Sequence, residues 1–344
     1  MSTLRKFILT RIALFVPLLW FLLSIVFVLL RVLPGDPIKA LNPNMPAHQV
    51  EIVRNQFGLN KPLSEQYVIF MKQSIRFEFG DSIFSNADVG QELKLVFGQT
   101  LMLAVSASLI GIPLGIYLGG VAGANRGKTK DQIIRIFTIG IYATPIFLMG
   151  IILQIRLGEG GTLSEGTIPI FPPLGILSPG LTDDFNHYTE IWIIDALLSG
   201  KPSIALDILI HLVLPSFTLG MLIASSISRQ VRTNMIHELE QEYVQFARAR
   251  GISENKVIKR YALKNAVIPV IGLIGLQFAL LLSGAILTET VYNIPGLGRY
   301  LFSAIVNRDF PAVQGAFVIF MFIVSIVSLL SDILYAILDP RIKF

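Results

Sequence analysis

Six apolar stretches dominate this chain, and each is long enough to cross a bilayer: Phe7–Leu33, Leu101–Ala122, Ile133–Leu157, Ile204–Ser228, Ala266–Thr288 and Val313–Leu338. A hydrocarbon core ~30 Å thick takes about 20 helical residues to span. Lipid offers no hydrogen bonds, so a spanning backbone must satisfy its own polar groups, which for runs of this length means helices. The sequence therefore predicts an all-α integral membrane protein with six transmembrane helices. Composition agrees, with 15% charged residues against about 25% in soluble domains. Arg5, Lys6 and Arg11 mimic the basic start of a signal peptide. The apolar run behind them is too long and lacks a small-residue cleavage site, so it reads as a retained anchor.

Orientation follows from Lys and Arg in the short loops. One set of loops holds Arg5, Lys6 and Arg11, then Arg126, Lys128 and Lys130, the segment Arg229–Lys264, and Arg341 and Lys343. The opposite set, 158–203 and 289–312, carries only Lys201, Arg299 and Arg308. The basic set is expected to be cytoplasmic, placing both termini inside a multi-pass protein of the cell (plasma or inner) membrane. The net charge of +5 is accounted for by this placement, which leaves no nucleic-acid surface. With no cysteine in the chain, disulfides and thiol chemistry are excluded.

Three regions follow. Residues 1–33 are the first membrane helix. Residues 34–99 form an external loop: Pro34-Gly35-Asp36-Pro37 stops the first helix, one short helix ends near Gly58, and Ser64 suits the cap of another. Residues 100–344 form a core of five membrane helices, with an irregular external segment at 158–203 and a polar loop at 229–265.

That polar loop is the most informative stretch. Helix A is expected over Ile236–Arg250, and Gly251 can take the left-handed conformation that ends it. Ser253 suits the N-cap of helix B, Glu254–Leu263. Tyr243, Phe246, Ala247 and Arg250 share one apolar-edged face, and small Ala247 and Ala249 beside Gly251 would let another protein approach. A basic amphipathic helix resting on lipid headgroups fits the composition equally well.

The segment Glu242, Tyr243, Ala247, Arg248, Ala249, Gly251, then Ala262, Leu263, Asn265, Ala266 and Pro269 resembles the signature loop of ABC importer permeases of the dipeptide/oligopeptide/nickel class. The resemblance continues through Glu289-Thr290-Val291-Tyr292, Pro295-Gly296-Leu297-Gly298, Arg308-Asp309-Phe310-Pro311 and Asp332–Arg341. Pro34-Gly35-Asp36-Pro37 is similar to a feature of the B-type pore subunit. Gln245, Arg250 and Tyr261 depart from residues common in that class. The resemblance implies a pore subunit that docks two cytoplasmic ATPases through Glu242, Tyr243, Phe246, Ala247, Arg248, Ala249, Arg250, Gly251 and Ser253. It also implies a second permease subunit in a heterodimer and an extracytoplasmic solute-binding protein. ATP and magnesium would bind the ATPases, and no cofactor or metal this chain. The expected cargo is di- or oligopeptides, with nickel chelates or oligosaccharides as alternatives; an ion-coupled secondary transporter is the competing class.

Ala122–Thr129 (AGANRGKT) fits a relaxed phosphate loop but joins two membrane helices instead of a strand and a helix, so nucleotide binding is not expected. His237-Glu238 lacks the second histidine of a zinc-protease motif. Asp207 and His211 lie one turn apart, as a buried pair or a substrate contact. Asp332 is expected to pair with a basic residue. Gly111, Gly115, Gly119 and Gly123 recur every fourth residue and predict close helix–helix packing with an unnamed partner. Gln277 and Ser283 are candidates for lining a path, and Glu289, Pro295 and Gly296 for an outer gate.

Overall fold

The structure, a computed structural model, describes residues 2–31, 46–56, 60–158, 171–181 and 184–338. Pro34–Pro37, Gly58, Arg341 and Lys343 lie outside them. Among the described residues the fold is helical, with one isolated bridge between Asp81 and Asp88. The helices are α1 (Ser2–Arg31), α2 (Ala47–Gln56), α3 (Leu63–Arg76), α4 (Val89–Ala124), α5 (Thr129–Ala143), α6 (Ile146–Leu157), α7 (Trp192–Leu198), α8 (Pro202–Leu239), α9 (Glu242–Ala249), α10 (Leu263–Tyr292), α11 (Leu297–Val306) and α12 (Phe310–Leu338). Among the described residues, four are long and apolar enough to cross a membrane, namely Ile8–Leu30 within α1, α4, α8 and Phe310–Ile333 within α12. The α5–α6 pair makes a fifth if it is taken as one span.

The central element is the α4–α8 pair, and glycine builds it. A Cβ placed on Gly111 would lie 2.5 Å from the Gly220 carbonyl oxygen, on Gly115 2.9 Å from that of Ala224, and on Gly119 2.6 Å from that of Ser228. At Gly123 it would strike Met235. Each step of four in α4 meets a step of four in α8, so the two helices run parallel and in register. Between Ala124 and Pro202 the chain must therefore return to the side on which α4 began. α4 is 36 residues, about 54 Å at 1.5 Å per residue, and so overshoots a ~30 Å hydrocarbon core.

Two apolar cores flank this pair. One joins α4, α8 and α10 through Leu103, Ile208, Leu212, Ile223, Leu281 and Tyr292, with Leu153 and Leu157 of α6 packed against it. The other packs α1, α3, α11 and α12 through Leu23, Phe27, Phe70, Phe79, Leu301 and Val313. Phe27 meets Tyr67 edge-on at 5.2 Å and Phe70 at 5.6 Å. The opposite side of α1, with Leu14, Trp20 and Phe21, is exposed, as a lipid-facing surface requires. Near the other end of α1, Arg11 meets Asp332 at 3.3 Å.

Four details differ from the sequence reading. The stretch Ile133–Leu157 is not one helix: α5 and α6 meet at an angle of 104°. Thr144 adopts φ −81°, ψ 127° there, the extended conformation that a following proline imposes. Ser64 does not cap α3, because Pro62 holds the N-cap position and Ser64 falls in the first turn. Helix A is two helices, since Gln241 is extended at φ −71°, ψ 149° and separates α8 from α9. Helix B has no end of its own: Glu254–Lys256 runs through a π-helical stretch, Val257–Ala262, straight into α10.

Candidate functional site

The polar hairpin between α8 and α10 is a small folded unit. Val244, Ala247 and Val257 form its core, with Leu239, Tyr243, Ile252 and Tyr261 against them. Its tip is a Schellman turn. Gly251 N–H donates to the Arg248 carbonyl at 2.9 Å and Ile252 N–H to the Ala247 carbonyl at 3.3 Å, the two bonds that define this helix ending. Gly251 has φ +74° with open space where a Cβ would stand, so backbone conformation, not crowding, selects glycine. Ser253 sits at the N-cap of the next turn without a side-chain bond. Arg248 reaches across to Glu254 with two bonds, 2.7 and 3.1 Å. That guanidinium holds the Glu254 carboxyl below its ordinary value of 4.5 and is itself raised in return.

The expected docking face is divided by this fold. Ala247 points into the hairpin core at 3% exposure. Tyr243 turns inward, its hydroxyl donating to Glu238 and accepting from Asn265 Nδ2 at 2.9 Å. Phe246 stays outside at 65% exposure, with the Arg250 guanidinium 5.8 Å from its ring centre. Glu242, Ala249, Arg250, Gly251 and Ser253 are also exposed. The tip therefore presents an aromatic ring, a cation and small residues on a rigid base.

Two ion pairs tie the α4–α5 loop and the first turn of α5 to the end of α8. Arg126 meets exposed Glu240 at 2.7 Å. Arg232 holds Asp131 through two bonds, Nε to Oδ1 at 2.6 Å and Nη2 to Oδ2 at 2.8 Å. Asp131 is fully buried and also accepts from Gly127 N–H at 3.0 Å.

At the opposite end of the bundle, Glu289 is enclosed by its own chain. It accepts from the Thr100 hydroxyl at 2.6 Å and from Arg299 N–H at 2.9 Å, so its carboxylate caps the start of α11. Gly296 has no room for a Cβ, which would strike that carboxylate. Pro295 is exposed beside it. Asp309 plays a similar part for α12, accepting from Ala312 N–H at 3.3 Å while Ser82 Oγ donates to it at 2.5 Å. Asp207 binds Ser178 through N–H and Oγ, both at 2.8 Å, with His211 Nδ1 2.9 Å from its carbonyl. Gln277 donates to Ser226 Oγ at 2.6 Å, joining α10 to α8. The Ser283 side chain lies outside what the structure describes.

A family model described as the binding-protein-dependent transport system inner membrane component matches residues 111–344, and its N-terminal companion matches residues 4–86. The chain belongs to this family of permeases. Relatives of the permease run its full length. It is 34% identical to the di/tripeptide transport system permease protein DppB of Pseudomonas aeruginosa, covering 98% of each chain. It is 36% identical to the probable D,D-dipeptide transport system permease protein DdpB of Escherichia coli, over 92% of each. The glutathione transport system permease protein GsiC of Escherichia coli is 29% identical, over 98% of the permease and 99% of that protein.

Several anchoring residues of the permease escaped sequence reasoning. Asp131 and Arg232 are separated by 101 positions and nothing in either neighbourhood names the other. Thr100 reads as an ordinary polar residue, and Asp309 is named only within the motif Arg308-Asp309-Phe310-Pro311, with no role of its own. The partner of the glycine stripe did leave a signal: Gly220, Ala224 and Ser228 repeat the same four-residue spacing.

Proposed function

We propose that this permease is a pore subunit of an ATP-driven importer of di- or oligopeptides. The named relatives supply the cargo class, and the hairpin supplies the mechanism. Its six spans are α1, α4, the broken α5–α6 pair, α8, α10 and α12, with both termini and the hairpin cytoplasmic, where the basic loops gather. A second, different permease chain completes the pathway, and an extracytoplasmic solute-binding protein delivers cargo at the Glu289–Asp309 end. ATP and magnesium bind the two ATPase subunits.

The observation that carries this reading is the hairpin tip. Lipid headgroups favour a helix with a continuous apolar face and basic flanks. Here much of the apolar face is spent inside the hairpin, leaving Phe246 and Arg250 beside a tight turn, and aromatic and arginine anchors of this kind dominate protein–protein contacts. When the ATPases close on ATP, the hairpin moves with them as a rigid body, and the interlocked α4–α8 pair follows as a unit.

The test is reconstitution of the permease with its neighbouring permease, ATPases and binding protein in proteoliposomes. ATP-dependent uptake of labelled dipeptide is expected. Uptake by the permease alone, driven by a proton gradient, would replace this reading with secondary transport. ATP-dependent uptake of nickel chelates or oligosaccharides without peptide would keep the mechanism and change the cargo.

A further inference from the structure

Asp131 and Arg232 lie where a driven element meets a loosely held one. Arg232 is two turns from the end of α8 at Leu239, immediately before the hairpin. Asp131 opens α5, whose only other buried residue is Thr138. Apolar residues cover much of the remaining surface of α5, and Ile133 and Ile136 are more than half exposed. At its far end α5 stops at the Thr144–Pro145 break. A helix so held can swing about that break if its first turn is moved.

Resting on the reading of the hairpin as the ATPase dock, we infer that the Asp131–Arg232 pair is the strut through which hairpin displacement reaches α5. The two are then positioning residues for energy coupling. Two parallel bonds from a planar guanidinium to a carboxylate fix orientation as well as distance, which a single contact does not. Burial strengthens the tie and deprives a lone partner of water. Gly127 N–H, bound to the same carboxylate, brings the α4–α5 loop along. The second α8–α5 tie is more pliable: Arg229 lies 4.1 Å over the ring of Tyr142, and both residues are exposed. The α4–α8 pair is interlocked by its glycine stripe and moves together, so a shift of α8 falls on its other neighbours, of which α5 is the one gripped by this buried pair.

The experiment uses the complete importer in proteoliposomes, measuring peptide uptake and ATP hydrolysis together. Asp131→Asn keeps the shape and loses the charged bidentate grip. The expected result is assembly and ATPase activity close to the unmodified complex, with peptide moved per ATP falling about tenfold, within the usual range of coupling between two sites. The chain has no cysteine, so Asp131→Cys with Arg232→Cys provides a unique thiol pair. A short bifunctional thiol crosslinker should restore the transport-to-ATP ratio in that double variant. Unchanged coupling in Asp131→Asn overturns the proposal. So does a parallel loss of assembly, hydrolysis and uptake that crosslinking fails to reverse, which would make the pair architectural only. If the unmodified complex shows no ATP-dependent uptake, the importer reading itself fails, and that outcome is distinct from either.

Discussion

Thr100 and Glu289 stand 189 residues apart in sequence, yet their side-chain oxygens lie 2.6 Å apart. The Thr100 hydroxyl donates to the carboxylate and accepts from Leu297 N–H at 2.7 Å, so one threonine joins α4, α10 and α11. Glu289→Ala leaves a buried hydroxyl and the Arg299 N–H without their acceptor. The expected cost is about 3 kcal/mol, from orphaned buried groups. A lower midpoint of heat-induced aggregation in detergent would register it, and Glu289→Gln should fall between.

Two glycine substitutions of opposite sign test the helix pair. Gly115→Val must push apart α4 and α8, because even a Cβ would sit 2.8 Å from that of Ile227. Loss of stable folded protein is expected on gel filtration. Gly140→Ala, where a Cβ meets nothing within 4 Å, should be neutral or stabilising by up to about 1 kcal/mol through helix propensity.

Phe246→Asp removes the exposed ring while leaving the hairpin core of Val244, Ala247 and Val257 untouched. The permease should insert and fold normally, and ATPase capture should weaken by about thirtyfold, the consequence of losing a contact worth about 2 kcal/mol at an interface centre. Co-purification with tagged ATPase subunits measures this. Equal capture would remove Phe246 from the dock.

At Gly251 the substitutions should rank by backbone chemistry. Alanine fits the space but pays about 1 kcal/mol for the left-handed conformation, so transport should decline modestly. Proline forbids φ +74° and deletes the N–H that binds the Arg248 carbonyl, so coupling should be lost while insertion persists. Uptake assays on the assembled importer separate the two.

The Arg248–Glu254 pair sets an acid response. Glu254 titrates below its ordinary value of 4.5 because Arg248 binds the ionised form. A depressed carboxylate contributes its stability above the unfolded value and loses it as pH falls through the folded one. Amide hydrogen exchange across residues 248–254, measured at each pH and corrected for the intrinsic rate, should lose protection only below the ordinary carboxylate range. Glu254→Gln should exchange faster already at neutral pH and show no acid step.

The four long apolar helices, Ile8–Leu30, α4, α8 and Phe310–Ile333, were legible because hydrocarbon thickness dictates their length, and the glycine stripe because close packing in lipid demands small residues. The break in α5–α6 was not. Pro113, Pro215 and Pro269 sit inside α4, α8 and α10 without ending them, so proline alone does not announce a bend. At Thr144 the hydroxyl donates back to the Gly140 carbonyl at 2.8 Å, a local bond that competes with helical continuation. The hairpin's position and turn glycine were readable from charge and composition. Which of its residues face inward was not, because that depends on Gln241 breaking the helix and rotating α9 relative to α8.

The bend at Thr144–Pro145 has a consequence for how the permease can exist. The opening N–H groups of a helix have no preceding turn to receive them, and acyl chains cannot take its place. An elbow at membrane depth is therefore tolerable only against another polypeptide or a film of water. A solitary copy bathed in lipid on that side is an unfinished solute, and a protein seated there would serve in part as a solvent for its backbone.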